Sequence, residues 1–414
     1  MPEAIHCTCL DNGLVILGER MPWLESVAVG LHVPAGCIYD PADKVGLAHL
    51  VGEMVQRGCG PRDSRQFLEA LELLGANYGG AAGLAHASFR ATLLADNLDA
   101  LLPIFADLVR RPHLPADQFE DARQTALQAI QAREDDFAEQ AMNQLERLHF
   151  GDPWGRDELG TRQAVLSLRY EDVVEFYQRC YGPRNCIISV AGQFQWEHLV
   201  EKIGELFGDW KPQEPPRLES KAGKRGYEHL ERPTQQTHIA LAADAVAYRD
   251  ADYFLARAAV GVLSDGASSR LFVEVREKRG LCYTVAARCQ STLDEGAVLC
   301  YAGTTTERAQ QTWDLLVEEL ERLAEGVTAE EWSRVKAKIK SAIVMLQESS
   351  SARSSNLASD YYHRGKAFSI EELKHILDNI TVDQINDYLK RRPPRIRSAV
   401  SVGAQRLEVR RAIP

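Results

Sequence analysis

Residues 33–54 read Val33-Pro-Ala-Gly-Cys-Ile-Tyr-Asp40-Pro-Ala-Asp-Lys-Val-Gly46-Leu-Ala-His49-Leu-Val-Gly52-Glu53-Met54. Leu47, Leu50, Val51, Met54 and Val55 recur at helical spacing, so the second half of the stretch predicts an amphipathic helix with one apolar stripe. His49 and Glu53 lie four apart and share a face of that helix. Gly52 stands beside them, and a glycine inside a helix costs about 1 kcal/mol relative to alanine. Two explanations are compatible: a catalytic position that has lost its side chain, and a neighbouring backbone that approaches closely. Upstream, Val27 to Pro34 alternates like a strand.

Beyond this stretch, Ser64 to Leu74 reads as a second helix, capped by Asp63 and closed by Gly75. A strand follows at His86 to Leu94, then helices at Leu98 to Arg110 and Ala116 to Arg133, and a late strand at Ser398 to Val402. The mixture lacks the regular alternation of a doubly wound sheet and is classed as α+β. Ser349 to Ser355, SSSARSS, reads as a polar helix interruption or loop. The clearest composition shift is Trp210 to Gly226, WKPQEPPRLESKAGKRG, where prolines, glycines and charges replace periodic hydrophobics. It divides the chain into an N-terminal domain 1–210, a linker 211–226 and a C-terminal domain 227–414.

The two halves repeat. Ser64, Arg65, Phe67, Glu69, Glu72, Gly75 and Tyr78 recur as Ser269, Arg270, Phe272, Glu274, Glu277, Gly280 and Tyr283 at a constant offset. Pro115 to Ile130 parallels Thr328 to Ile343, with Ala129 opposite Ala342. Two matches in the same order indicate a duplicated domain.

The 33–54 stretch resembles the segment that carries the inverted zinc motif H-x-x-E-H in the pitrilysin, insulinase and mitochondrial-processing-peptidase family of metallopeptidases. The flanks Leu10-Asp-Asn-Gly-Leu14 and Pro153-Trp-Gly-Arg-Asp-Glu-Leu-Gly-Thr161 fit as well, as do Asn185 and Gly192. The resemblance spans essentially the whole chain and implies two homologous processing-peptidase-type domains, each a mixed sheet packed with helices. In that family two histidines hold zinc, the glutamate between them acts as general base, and a distant glutamate completes the ligands. Here the first histidine survives as His49. Gly52 takes the base position, Glu53 the second histidine position, and Ala129 the distant glutamate position. With so few donors a zinc ion would not compete with cellular buffers, so no metal is expected on this chain. A stray metal at His49 and Glu53 is the weaker alternative to an imidazole and a carboxylate hydrogen-bonded in a cleft.

Ser269-Arg-Leu-Phe-Val-Glu-Val-Arg276-Glu-Lys-Arg-Gly-Leu-Cys-Tyr283 resembles the family's substrate-side motif, in which an arginine and a tyrosine seven apart reach the scissile peptide. The resemblance assigns Arg276 and Tyr283 to that role, as hydrogen-bond donors to a carbonyl oxygen as it gains charge. The bland alternative is a solvated helix arginine and a tyrosine packed at a strand edge. The first copy keeps Tyr78 but has Leu71 where Arg276 would fall.

The implied function is that of a non-catalytic, substrate-binding subunit, which supplies Arg276 and Tyr283 to a homologous partner bearing H-x-x-E-H and the zinc. The alternatives are a non-proteolytic scaffold of the same fold and a peptide-binding homodimer. Other chemistries are poorly supported: His86 has no ligand spacing with His49, and Gly79, Gly80 and Gly83 lack a phosphate-loop lysine. With 48 Lys plus Arg against 59 Asp plus Glu, the net charge of −11 disfavours nucleic acid or an anionic membrane as partner and suits a basic peptide. No apolar run is long enough to span a bilayer, and Met1 to Leu14 lacks a leader pattern, so a soluble, unprocessed chain is expected. Nine scattered cysteines without a C-x-x-C pair suggest reduced thiols and a cytoplasmic setting.

Overall fold

Strand residues among residues 5–214 and 216–409, which the computed structural model describes, gather into two sheets. Expectations touching residues 1–4, Pro215 of the linker and 410–414 lie outside the described residues. The first sheet holds β1 (His6–Cys9), β2 (Val15–Arg20), β3 (Ser26–Val33), β4 (Asn77–Ala82), β5 (Ala87–Leu94) and β6 (Ile187–Gly192), in the order β1-β2-β6-β3-β5-β4. The second holds β7 (Gly226–Glu231), β8 (Gln236–Ala245), β9 (Cys282–Ser291), β10 (Gly296–Thr305) and β11 (Ile396–Gly403), in the order β7-β11-β8-β10-β9.

The pairings match strand for strand. β2 runs parallel to β6, and β6-β3-β5-β4 continue antiparallel. Likewise β7 runs parallel to β11, and β11-β8-β10-β9 continue antiparallel. The duplication seen in the residues is therefore a duplication of topology, with β1 added at one edge. Each copy is α+β, a mixed sheet packed with helices.

The chain forms two compact units, and each draws on both halves of the sequence. One comprises 1–131, 156–219 and 344–372; the other comprises 132–155, 220–343 and 373–414. In the first unit, one sheet face buries Leu14, Ile16, Val29 and Leu31 in a core shared with Leu50, Val51, Leu101, Phe105 and Phe176 from helices. The alternate residues Val15, Leu17, Ile187 and Ala191 face the other way and pack on Leu357 and Ala358 of the Ser350–Arg364 helix. Strands buried on both faces read as nearly continuous apolar runs, as Ile187–Gly192 does with Ser189 its one polar residue.

That helix corrects the reading of Ser349 to Ser355. The break is Ser349 alone, which caps the helix with its side chain on the Ala352 amide. Ser350, Arg353 and Ser354 are helical and buried. Their polarity is satisfied from the sheet: Ser354 Oγ donates to the Ser189 carbonyl at 2.9 Å, and Arg353 Nε donates to Glu19 Oε2 at 2.6 Å.

In the second unit the Phe137–Phe150 helix plays the same part. Ala141, Leu145, Leu148 and Phe150 pack on Ala240, Ala242, Leu299, Val400 and Val402. Both helices cross the linear division at the linker: a helix from each half of the sequence covers the sheet formed by the other half.

Candidate functional site

The Leu47–Val55 helix begins after Gly46, whose φ of 94° is left-handed. Its amino end is held from outside. The buried Asp40 carboxylate accepts from the Gly46 and Ala48 amides at 2.7 Å each, and Arg156 donates to the carbonyls of Cys37, Ile38 and Asp40. Burial raises Asp40 to about 7, although the backbone amides and Arg156 pull the other way. Leu50, Val51 and Met54 turn into the core, which leaves His49 and Glu53 half-buried on the opposite side.

Gly52 has a structural reason. A Cβ placed there would lie 3.3 Å from both the Cβ and the backbone nitrogen of Ala82 in β4, tighter than ordinary packing. Beside it, Gln56 Nε2 donates to the Gly52 carbonyl at 2.8 Å, and Tyr78 Oη donates to Gln56 Oε1 at 2.9 Å. Burial, with further contributions from Cys59 and Glu53, raises the Tyr78 phenol. A side chain at 52 would thus project against an edge strand.

Ala129 lies half-buried on the Phe119–Glu134 helix and offers only a methyl group. Among the described residues, no group of three or more His, Cys, Asp or Glu side chains is placed to hold a metal ion. The side chains at 49, 52, 53 and 129 do not fit zinc, because two of the four carry no donor atom. His86 lies just before β5, with its ring edge-on to Tyr362 at 4.6 Å.

The second unit presents Arg276 and Tyr283 differently from their counterparts in the repeat. Phe272–Glu277 is a π-helical turn, a rare geometry frequent at functional sites. It closes at Gly280, φ 58°, with the Leu281 amide donating to the Val275 carbonyl at 3.0 Å. Lys278 and Arg279 both pair with Glu274, whereas Arg276 lies exposed over the Phe272 ring at 4.9 Å. The register of β9 against β10 shifts between Gly303 and Thr304, which leaves Tyr283 as an extra, bulged residue. Tyr283 is 81 % exposed.

The offset repeat makes the contrast sharp. Leu71 and Tyr78 of the first copy are packed: Leu71 is buried, and Tyr78 meets Phe67 edge-on at 5.6 Å. The equivalent Arg276 and Tyr283 face solvent. The sequence did not single out the supporting residues Asp40, Gln56 and Arg156. Single polar residues at irregular spacing carry no periodic signal.

Comparison with known proteins agrees over most of the chain. A family model described as Insulinase (Peptidase family M16) matches residues 15–159, and one described as Peptidase M16 inactive domain matches 167–339. The chain is 26 % identical over 387 residues to an uncharacterized zinc protease of Rickettsia felis, covering 93 % of this chain and 94 % of that protein. It is 28 % identical to an uncharacterized zinc protease of Mycobacterium tuberculosis, covering 92 % and 88 %. Among solved structures it resembles a peptidase M16 inactive domain from Pseudomonas fluorescens, with TM-score 0.88, 21 % identity and 98 % and 100 % coverage. It also resembles a chain of Complex III2 from Candida albicans, with TM-score 0.82, 19 % identity and 97 % and 96 % coverage.

Proposed function

The chain belongs to the M16 peptidase family, and from that premise we propose that it is the non-catalytic, substrate-binding subunit of a two-chain zinc peptidase. A homologous partner with an intact H-x-x-E-H motif carries the zinc and the general base. This chain contributes Arg276 and Tyr283, whose N–H and O–H groups orient the substrate carbonyl and stabilise the oxyanion that forms on it. The substrates are unfolded peptides, and the surplus of acidic residues favours basic ones.

The observation that supports this reading is the exposure of Tyr283. A phenol in a π-turn and bulge setting, without the packing its repeat counterpart Tyr78 enjoys, has no evident task in stabilising the fold. The test is co-expression with a zinc-motif homologue from the same source. The expected result is a stable pair with zinc near one per pair and peptide cleavage that neither chain shows alone. One-to-one zinc and chelator-sensitive proteolysis by this chain alone would overturn the proposal. A second reading, a non-proteolytic scaffold, draws on the likeness to the Complex III2 chain. It would replace the first if the pair forms but cleaves nothing.

A further inference from the structure

The second sheet carries a polar pair at the same end as Tyr283. His238 of β8 and Tyr301 of β10 are joined by a 2.7 Å hydrogen bond between Nδ1 and Oη, with ring centroids 6.1 Å apart. Phe137, the first residue of the helix that covers this face, meets the His238 ring edge-on at 6.2 Å. The pair therefore lies at the amino-terminal end of that helix.

The strand register shows what lies between this pair and Tyr283. His238 pairs with Gly303, and Gly303 pairs with Thr284, so the three form one row across β8, β10 and β9. Residues in such a row point to the same side, and the row spans about 10 Å at two inter-strand spacings. Thr284 is the chain neighbour of Tyr283 and is exposed. Tyr301 stands in the next row, paired with the exposed Ala286. The glycine leaves room here: a Cβ at 303 would sit 3.1 Å from Tyr301 Oη, tighter than ordinary packing, beside the hydroxyl that reaches His238. A low path over small residues thus runs from Tyr283 across Thr284 and Gly303 to the His238 ring.

We propose that His238, oriented by Tyr301, is a second peptide-binding residue that donates from Nε2 to a backbone carbonyl of an extended, basic peptide lying along this path. The inference rests on the substrate-binding reading above and names a site within it. A Tyr301 Oη that donates to Nδ1 leaves the ring proton on Nε2, which is the tautomer this contact requires. Nδ1 is the bonded nitrogen, and the residue keeps 8 % exposure. Burial lowers the pKa of His238 below its ordinary value, so the ring is neutral near pH 7. A neutral N–H donor suits a carbonyl. The carboxylate of Asp136, which acts on both His238 and Tyr301, puts negative charge at the rim and favours a lysine or arginine side chain beside that carbonyl. At about 3.3 Å per extended residue, the path accommodates about three residues between the Tyr283 contact and the His238 contact.

His238 is a binding residue and Tyr301 a positioning residue, and their variants should behave differently. The test uses the full chain and a fluorescein-labelled, unstructured lysine-rich peptide, with a glutamate-rich peptide of equal length as control, and reads the affinity by anisotropy. His238→Leu should weaken binding of the basic peptide about 3- to 10-fold, the loss of one hydrogen bond. His238→Gln, which keeps an amide donor, should recover part of it. Tyr301→Phe should weaken it less, by freeing the ring. Melting curves of each variant confirm folding, and if one variant fails to fold the other two decide. Basic-peptide affinity unchanged in the His238 variants would overturn this assignment and leave the substrate-binding reading standing. No binding of the basic peptide by the wild-type chain would overturn both, whereas equal binding of the acidic one would overturn this assignment alone.

Discussion

Single side chains decide whether this fold can do chemistry. Gly52 and Ala129 carry no side-chain donor, and the 3.3 Å approach of Ala82 means that a glutamate at 52 has to displace β4 by a few tenths of an ångström. Gly52→Glu, Glu53→His and Ala129→Glu together are expected to raise zinc content, measured by elemental analysis, whereas each alone leaves it low, because a tetrahedral site depends on all its ligands. Adding Ala82→Gly to the triple variant should raise occupancy further by opening the space at 52. Equal occupancy with and without that change would show that β4 is not the obstacle. Tyr283→Phe is expected to slow the reconstituted pair about 100- to 1,000-fold in kcat, equivalent to the roughly 2.7–4 kcal/mol of one lost oxyanion donor. Because Tyr283 is exposed, the melting temperature and the zinc content of the pair should not change. A wild-type rate in that variant would favour the scaffold reading.

At the scale of elements, the Ser350–Arg364 helix has a docking that is sensitive to pH. His363 on it, His86 beside Tyr362, and His32 on β3 all have lowered pKa values, each chiefly through burial. His363 and His86 fall to about 4 and His32 to about 3, with neighbouring Arg364, His363, His86 and Arg90 adding to the effect. The unfolded chain protonates these rings below about pH 6.5, whereas the folded chain holds them neutral until pH 3 to 4. Their contribution is therefore complete above pH 6.5 and is lost as pH falls below it. The midpoint of urea unfolding should drop between about pH 7 and pH 5, and His86→Gln should flatten that dependence. A midpoint independent of pH over that interval would exclude the imidazoles as its cause.

At the scale of the whole molecule, the two sheets are made from opposite halves of the sequence, and each holds a helix from the other half. Leu145, Leu148 and Phe150 are buried in one direction and Leu357 in the other, and each fully buried side chain of this kind is worth about 1.5–3 kcal/mol. The buried Arg353–Glu19 pair adds a requirement, since leaving either charge unpaired costs about 3–5 kcal/mol. A single proteolytic cut after the exposed Arg217 is therefore expected to leave two fragments that co-elute on gel filtration in native buffer and part only in denaturant. Separation of the fragments in native buffer would contradict the exchange of helices.

Local features were legible from the residues alone. The Asp63 cap and Gly75 bounded the Ser64–Leu73 helix, alternation marked β3 and β5, and the offset repeat announced two copies of one topology. That Gly52 and Ala129 offer no side-chain donor was equally plain, because the absence of a donor atom is a property of the residue. Only tertiary structure decided which way equivalent residues face. Tyr78 is drawn inward by Phe67 and Gln56, while Tyr283, at the same place in the repeat, is turned out by a π-helical turn and a bulge. Likewise Ser350, Arg353 and Ser354 look like surface residues in the sequence and are core residues in the fold. Burial of a polar group depends on its partner, and Glu19 and Ser189 lie more than 150 residues away along the chain.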